Sequence, residues 1–146
     1  MEKVTLNISK KIFNPVFLPY LDTVNRYEVF YGGAGSGKSV FVCQKKLYKC
    51  MKRKMNLLVI RDTADSNRNS TFSLFKQIIS KWGVDDLFKI RETDMRIKCV
   101  NGNEIIFAGL DNVERLKSIT FESGELTDVW IEEASEVMEA DFNQLD

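Results

Sequence analysis

Gly32-Gly33-Ala34-Gly35-Ser36-Gly37-Lys38-Ser39 is the stretch that decides the fold of this 146-residue chain. It has the form G-x-x-x-x-G-K-S, which is the Walker A pattern of phosphate-binding loops. Glycines let backbone N–H groups turn inward around an anion, and the N-terminus of a following helix adds partial positive charge. Lys38 suits the β- and γ-phosphates of a nucleotide, and the Ser39 hydroxyl suits Mg²⁺. The alternative is an ordinary glycine turn.

The residues on both sides of this loop match the context that the motif requires. Tyr27-Glu28-Val29-Phe30-Tyr31 is an aromatic and β-branched run that predicts a buried strand. After the loop, apolar residues recur at helical spacing from Lys38 to about Lys54. A strand, a glycine loop and a helix together indicate a phosphate site. The candidate nucleotide-binding residues are Gly33, Ala34, Gly35, Ser36, Gly37, Lys38, Ser39 and Val40.

The composition limits the chemistry that the chain can perform. Hydrophobic residues make up 44% and charged residues 29%, which is typical of one folded domain. The formal net charge is 0 and histidine is absent, so no overall basic field indicates nucleic acid and a zinc site is not expected. Cys43, Cys50 and Cys99 form no C-x-x-C pair and are expected to be reduced, packed residues of an intracellular protein. No apolar run approaches the ~18 residues of a membrane span, and no signal peptide is expected.

The predicted first helix carries a run of basic residues on its remaining positions. These are Lys45, Lys46, Lys49, Lys52, Arg53 and Lys54. A solvated face is one interpretation, with positive charge well placed near the C-terminus of the helix. A surface that faces DNA is the other.

The remaining elements are predicted from hydrophobic spacing and turn residues. Residues 1–26 form an irregular lead-in that contains Pro15 and Pro19. Residues 56–61 and 126–131 are predicted strands, 66–82 a helix that stops at Gly83, and 88–110 a hairpin. Asn101-Gly102 predicts a type I′ turn within that hairpin. A polar connection is expected at 111–124, and a further helix from Glu136.

Paired acids follow the predicted strand at 126–131. An apolar strand that ends in Glu132-Glu133, about a hundred residues after a Walker A loop, is a Walker B pattern. Parallel strands place their carboxyl ends at one crevice, so Glu132 is expected to hold Mg²⁺ through water. Glu133 is expected to orient and deprotonate the attacking water. The alternative is that both acids simply begin the following helix, where negative charge suits the dipole.

These motifs together resemble the ATPase domain of the large terminase subunits of tailed bacteriophages. The resemblance runs from about residue 12 to residue 146, and includes Val59-Ile60-Arg61. Its most specific parts are Trp130-Ile131-Glu132-Glu133-Ala134, and Gly109-Leu110-Asp111 followed by Leu116-Lys117-Ser118. The Walker A loop, by contrast, is shared with many ATPases.

The resemblance implies a motor that uses ATP and Mg²⁺ to pump viral double-stranded DNA into a procapsid. It also implies a homo-oligomeric ring that works with a portal protein and a small terminase subunit in the cytoplasm of a bacterial host, away from membranes. Large terminases generally add a C-terminal RNase H-like nuclease, which is not expected within these residues. By position, Lys38 and Glu133 are the expected catalytic residues, and Ser39 and Glu132 the expected Mg²⁺ ligands.

The chain departs from the family's pattern at Ala34, where many relatives have arginine. Any arginine contribution to the phosphates must therefore come from another part of the protein. By resemblance, Arg115 and Lys117 are expected near a subunit boundary, and one of them is a candidate cation for the neighbouring subunit's nucleotide. The alternative is that both are plain surface charges.

The expected fold is α/β, a P-loop NTPase of the ASCE or RecA-like type, with an extra strand between the two Walker strands. We expect a mostly parallel sheet with flanking helices and an inserted β-hairpin. Residues 27–146 form this ATPase domain, expected to be truncated at its C-terminal side, after the lead-in at 1–26. ATP-driven DNA translocation is the leading function. The alternatives are another P-loop DNA motor such as a helicase, and a nucleotide-binding fragment without turnover.

Overall fold

The computed structural model describes residues 5–136 as an α/β fold with one five-stranded sheet. The strands are β1 (Asn56–Arg61), β2 (Phe88–Arg91), β3 (Arg96–Cys99), β4 (Glu104–Gly109) and β5 (Asp128–Ile131). The α-helices are α1 (Lys38–Lys52), α2 (Ala64–Asn67), α3 (Ser73–Lys81) and α4 (Val113–Ser118), and a π-helical segment, Arg68–Phe72, joins α2 to α3. The predicted helix from Glu136 falls outside the described residues, apart from a 3₁₀ turn at Ala134–Glu136.

The sheet has the strand order β2-β3-β4-β1-β5. β1 lies at the centre of a parallel core, with β4 on one side and β5 on the other. Ile60 pairs with Ala108 and with Ile131, so the carboxyl ends of these three strands meet at one edge of the sheet. β3 is antiparallel to both of its neighbours, β2 and β4, which makes the sheet mixed. The α/β class is therefore confirmed, whereas the expectation of a mostly parallel sheet holds only for the core.

One face of the sheet packs against α1 and α3. Leu57 and Val59 of β1, Phe107 of β4 and Trp130 of β5 share a buried cluster with apolar residues of both helices. Their side chains point to the same face because alternate residues of a strand do so. The helical spacing in the sequence predicts this packing: the apolar positions Cys43, Leu47 and Cys50 of α1 are all buried.

The opposite face carries a smaller cluster. Leu58 and Ile60 of β1 pack there with Ile106 and Ala108 of β4. The connection between β4 and β5 covers them through Leu116, Ile119 and Phe121. This connection was expected only to be polar, but it contains the short helix α4, which Asn112 caps by accepting a hydrogen bond from the Arg115 N–H at 3.1 Å. The signal for it is the run of apolar residues at every third position, Leu110, Val113, Leu116 and Ile119.

Three sequence predictions need correction. The run Tyr27–Tyr31 is not a strand of the described sheet, and Tyr27, Val29 and Tyr31 are 57%, 82% and 89% exposed. The inserted hairpin at 88–110 is a three-stranded meander, because β2 precedes the predicted pair and β4 also belongs to the parallel core. Its tight turn is not type I′, because Asn101 lacks the positive φ that this type requires and only Gly102 has one, at 95°.

The other element predictions differ at their ends, and the predicted helix at 66–82 is interrupted by the π-helical segment Arg68–Phe72. The strand at 56–61 is confirmed, the first helix ends at Lys52, and the last strand begins at Asp128. The predicted helix at 66–82 begins at Ala64, because the Thr63 side chain caps it by accepting from the Ser66 N–H at 3.1 Å. The three cysteines are free and buried, as expected. None of the helices in residues 5–136 has the length and apolarity that crossing a bilayer requires.

The lead-in packs along α1 through aromatic side chains. Phe17 stacks on Phe41 of α1 with ring centroids 5.1 Å apart, and Phe30 meets Phe41 edge-on at 5.6 Å. The Gln44 side-chain amide donates to the Ile12 carbonyl at 3.2 Å. This packing fixes the chain that enters the glycine loop against the helix that leaves it.

The basic run at the first helix divides into two groups. Lys45, with its side chain 7% exposed, lies 2.8 Å from the Glu28 carboxylate of the lead-in. Lys46 and Lys49 both contact the Asp128 carboxylate, at 3.0 and 2.8 Å. These three lysines attach α1 to the lead-in and to β5. The other members, Lys52, Arg53 and Lys54, are exposed, as the solvated-face interpretation expects.

Candidate functional site

The glycine loop lies at the edge of the molecule, immediately before α1. Gly33, Ala34, Gly35 and Ser36 are exposed, and Gly35 and Gly37 have φ of 76° and 82°. Only glycine adopts this left-handed conformation without strain, so both positions depend on the absence of a side chain. Two glycines of the sequence pattern therefore stand where the backbone of the loop has positive φ.

The N-terminus of α1 has no side-chain cap. Gly37 occupies the capping position, and the Phe41 N–H donates to its carbonyl at 3.0 Å. The N–H groups of the first helical turn, from Lys38, Ser39 and Val40, have no acceptor within the helix. Such a terminus attracts anions through its N–H groups and its dipole. This arrangement suits a phosphate group.

Lys38 bends back over the loop from the first position of α1. Its Nζ donates to the Gly32 carbonyl at 3.2 Å. The contact holds the ammonium group against the first residue of the loop. Lys38 and the candidate residues from Gly33 to Val40 are thus brought together as predicted.

Ser39 and Glu132 meet although 93 residues separate them in the sequence. The Ser39 hydroxyl donates to the Glu132 carboxylate at 2.5 Å. The side chain of Glu132 reaches α1 because it follows β5 on the face that carries Trp130. The nearby carboxylate, after the larger effect of burial, raises the pKa of the Cys43 thiol on α1. The two predicted Mg²⁺ ligands therefore lie at one point.

Glu133 occupies an uncommon backbone conformation directly after Glu132. Its φ is 53°, in the left-handed region that non-glycine residues rarely adopt. Its side chain is exposed, whereas that of Glu132 is half-buried. Adjacent acids thus have different environments, and backbone strain of this kind is typical of functional sites.

The donor set of this site fits Mg²⁺ better than it fits a metal held by protein ligands alone. Within residues 5–136, no cluster of three or more histidine, cysteine, aspartate or glutamate residues is arranged to hold a metal ion. Mg²⁺ usually takes one or two protein oxygens and completes its shell with water and substrate phosphate. The Ser39 hydroxyl and the Glu132 carboxylate supply two such oxygens.

The structure does not bring Arg115 and Lys117 to this site within one chain. Both lie on α4, which packs through Leu116 on the sheet face opposite α1. The Arg115 guanidinium donates to the Asp94 carbonyl at 2.9 Å, whereas Lys117 is exposed.

Two further features of the site were not predicted. Asn14 and Phe17 of the lead-in lie beside Gly37, where an added Cβ would be 3.6 Å from the Asn14 side-chain nitrogen. Asp111 accepts from the Ala64 N–H at 3.2 Å and closes the turn after β1. Gly109 permits that turn, because a Cβ there would lie 2.1 Å from the Ala64 nitrogen. The Gly109-Leu110-Asp111 motif is the sequence signal for the turn that Asp111 closes. No sequence signal indicates that Asn14 and Phe17 lie beside Gly37.

Comparison with known proteins gives consistent matches. A family model described as phage terminase large subunit matches residues 24–146. The chain is 35% identical over 136 residues to the PBSX phage terminase large subunit of Bacillus subtilis (strain 168), covering 92% of this chain and 30% of that protein. It is 34% identical over 141 residues to the terminase large subunit of Bacillus phage SPP1, covering 93% and 33% respectively. The chain thus spans about a third of the length of these relatives.

Proposed function

Because the chain belongs to the phage terminase large subunit family, we propose that its glycine loop and paired acids bind and hydrolyse ATP to drive viral double-stranded DNA into a procapsid. The observation that carries this proposal is the contact between the Ser39 hydroxyl and the Glu132 carboxylate at 2.5 Å. It joins the end of a glycine loop to the end of a parallel strand, which is the juxtaposition that Mg²⁺-dependent phosphoryl transfer needs.

Each residue has a distinct role in this proposal. The loop from Gly33 to Val40 surrounds the phosphates with N–H groups, and Lys38 exchanges its bond to the Gly32 carbonyl for a charge-assisted contact with phosphate. Ser39 and Glu132 hold Mg²⁺. The ion, when bound, neutralises charge on the phosphates. Glu133 orients a water molecule and accepts its proton.

The proposal extends to the fold of the complete domain. In a P-loop NTPase of the ASCE type, the segment before the glycine loop is a strand separated from the Walker B strand by another strand. We assign Tyr27–Tyr31 to this role. Its exposed side chains, Tyr27, Val29 and Tyr31, alternate along the chain as they do on one face of a strand. None of the strands in the described residues pairs with it.

The partners of the complete protein follow from the same assignment. We propose a homo-oligomeric ring that contacts double-stranded DNA, a portal protein and a small terminase subunit within the bacterial host. Either Arg115 or Lys117 supplies a cation to the neighbouring nucleotide. Lys117 is the better candidate because it is exposed, whereas the Asp94 carbonyl holds Arg115.

The first test of the proposal is nucleotide binding. Lys38→Ala should reduce the affinity for Mg²⁺-ATP at least 10-fold, since a charge-assisted bond to phosphate contributes roughly 1.5–3 kcal/mol. Isothermal titration calorimetry measures the affinity, and circular dichroism checks that the fold is retained. Lys52→Ala, at the exposed end of the same helix, is the control and should bind as the wild type does.

Three results would change the assignment. Unaltered ATP affinity in Lys38→Ala would show that the glycine loop is not part of the nucleotide site. Binding without phosphate release, measured with the full-length protein, would instead favour a nucleotide-binding protein without turnover. DNA unwinding by the full-length protein would favour a helicase.

A further inference from the structure

We propose that Arg61 is a phosphate-contacting residue of this site and that it recognises the γ-phosphate within the same subunit. The inference rests on the proposed function, because it assigns one more residue to the same nucleotide. Transfer of a γ-phosphoryl group gains from positive charge beside it, and Lys38 is the cation that the loop itself provides. Ala34 adds none.

Arg61 occupies the carboxyl end of the central strand. Ile60 pairs with Ile131, and the Glu132 N–H donates to the Ile60 carbonyl at 3.0 Å, so Arg61 is the cross-strand neighbour of Glu132. Alternation along β1 places the Arg61 side chain on the face of Leu57 and Val59, which is the face of α1. Ser39 meets Glu132 on that same face. Neighbouring strands are only ~4.8 Å apart, which is less than the length of an arginine side chain.

The side chain of Arg61 makes polar contacts near the end of β1. It is 23% exposed and its Nε lies 3.9 Å from the Asp62 carboxylate. Its Nη1 donates to the Ser66 carbonyl at 3.5 Å, which is the limit of a hydrogen bond. A charge-assisted bond from a guanidinium to phosphate is stronger than a bond of this length to a carbonyl.

Several other basic residues within 5–136 make their contacts away from the Ser39–Glu132 pair. The contacts are Arg68 with the Glu92 carbonyl at 2.7 Å, Arg96 with the Glu104 carboxylate at 2.9 Å, and Arg115 with the Asp94 carbonyl at 2.9 Å. Lys46 and Lys49 share Asp128 at the opposite end of β5 from Glu132. Arg61 is distinguished from these residues by its position next to the Ser39–Glu132 pair.

The alternative role for Arg61 is purely electrostatic and structural. A guanidinium beside Asp62, Glu132 and Glu133 reduces the repulsion among these carboxylates whether or not a nucleotide is present. In that case its removal would affect ADP and ATP binding alike. A contact with the γ-phosphate would affect only the nucleotide that has one. The selectivity between the two nucleotides therefore separates the two roles.

The experiment measures the affinities of the purified protein for Mg²⁺-ATPγS and Mg²⁺-ADP by isothermal titration calorimetry. Arg61→Ala should lower the affinity for ATPγS about 10- to 100-fold and change that for ADP less than about 2-fold. Arg61→Lys should recover part of the loss. Arg68→Ala is the matched control, because Arg68 follows the same strand but contacts the Glu92 carbonyl, and it should leave both affinities unchanged.

The outcomes are distinct. Equal losses for both nucleotides in Arg61→Ala, or no loss in either, would overturn the role of Arg61 while leaving the nucleotide site intact. A wild-type protein that binds neither nucleotide would overturn the proposed function, and this inference with it. Arg61→Gln, which keeps the size and polarity of the side chain, provides the same comparison if Arg61→Ala fails to fold by circular dichroism.

Discussion

Glu132 and Glu133 show how one step along the chain separates two carboxylates. Glu132 continues the alternation of β5 and points to α1, where the Ser39 hydroxyl binds it. At Glu133 the backbone changes to φ 53°, which ends that alternation and leaves the side chain exposed. A half-buried acid next to an exposed one permits two roles, since a metal ligand and a base for water need different surroundings.

The paired acids lead to a prediction for the full-length protein. Glu133→Gln should bind Mg²⁺-ATP and hydrolyse it ~10²–10⁴-fold more slowly, because general-base help to the attacking water is lost. Glu132→Gln should instead require a higher Mg²⁺ concentration for half-maximal turnover, because a charged ligand is removed. Steady-state phosphate release across a Mg²⁺ titration distinguishes the two variants. Glu114→Gln, an exposed acid on α4, serves as the control, and wild-type turnover in Glu133→Gln would show that the base is a different residue.

Residues of the site could be predicted from the sequence where a motif contains them. Residues that only the packing of the fold brings to the site could not be predicted. The loop and the two acids are visible in the sequence because their spacing follows from the chemistry of phosphate and Mg²⁺. The proximity of Asn14 and Phe17 to Gly37 depends on how the lead-in packs on Phe41, which no local pattern encodes. Asp128 was likewise missed, because its importance comes from Lys46 and Lys49 on a helix about 80 positions earlier.

The element scale shows why some predicted strands formed and one did not. The run Leu57–Ile60 is buried between β4 and β5, as continuous apolar sequence indicates. The run Tyr27–Tyr31 has equally favourable residues, yet the described sheet contains no strand beside it. Strand propensity measures fit to a neighbouring strand, so it cannot tell whether that neighbour is present. The prediction of a type I′ turn at Asn101-Gly102 was wrong for a related reason. The length of the loop between the two strands selects the turn type, and the dipeptide alone does not reveal that length.

The contact between β4 and α2 gives a stability prediction. Gly109→Ala should lower the free energy of unfolding by about 2 kcal/mol or more, because the new Cβ would lie 2.1 Å from the Ala64 nitrogen and 2.4 Å from the Thr63 carbonyl carbon. Gly33→Ala is a suitable control for stability, since nothing lies within 4 Å of a Cβ at that position. Urea denaturation of both variants measures the difference. Equal stability would mean that the turn after β1 moves freely away from β4.

The attachment of β5 to α1 should make stability depend on pH. Burial raises the pKa of Asp128, but the hydrogen bond from Lys49 and the charge of Lys46 outweigh it and lower the pKa to about 2. Because the pKa in the unfolded chain is higher, near 3.8, the contribution is complete above about pH 4 and is lost as the pH falls to 2. From this difference we expect about 2 kcal/mol.

Asp128→Asn tests this contribution. The variant should be less stable than the wild type at pH 7, and its stability should change less between pH 4 and pH 2. Chemical denaturation at several pH values provides both measurements. Glu122→Gln is the comparison, because Glu122 also contacts a lysine, Lys98, but lies at the surface where water screens the pair. A pH profile of Asp128→Asn that matches the wild type would show that the lysines do not stabilise this carboxylate.

At the scale of the whole molecule, the position of α4 permits action between subunits. Lys117 is exposed on the sheet face opposite α1, so it is available to a neighbour rather than to its own glycine loop. In assembled full-length rings, subunits with Arg115→Ala and Lys117→Ala should be partly rescued by subunits with Glu133→Gln. The former keep an intact site and the latter an intact cation. ATPase activity of the mixed rings should therefore exceed the sum of the two homogeneous rings, whereas strictly additive activity would exclude a cation supplied in trans.

The whole molecule also sets the limit of what the sequence could predict. The α/β class and the meeting of the glycine loop with the acids follow from local patterns and from the rule that parallel strands share an edge. The strand order does not, because β4 takes part both in the meander and in the parallel core. A hairpin signal in the sequence describes the pairing of two strands and contains no information on a third partner.

β5 is joined to α1 at both of its ends, and this has a mechanical consequence. Asp128 at the start of the strand holds Lys46 and Lys49, and Glu132 after its last residue holds Ser39. Four strand residues span ~13 Å, and the seven to ten helix residues between these contacts span ~10–15 Å, so the two lengths match. A body fixed at two separated points cannot pivot about either one. β5 and α1 should therefore transmit force as a single rigid body, with the glycine loop at one end.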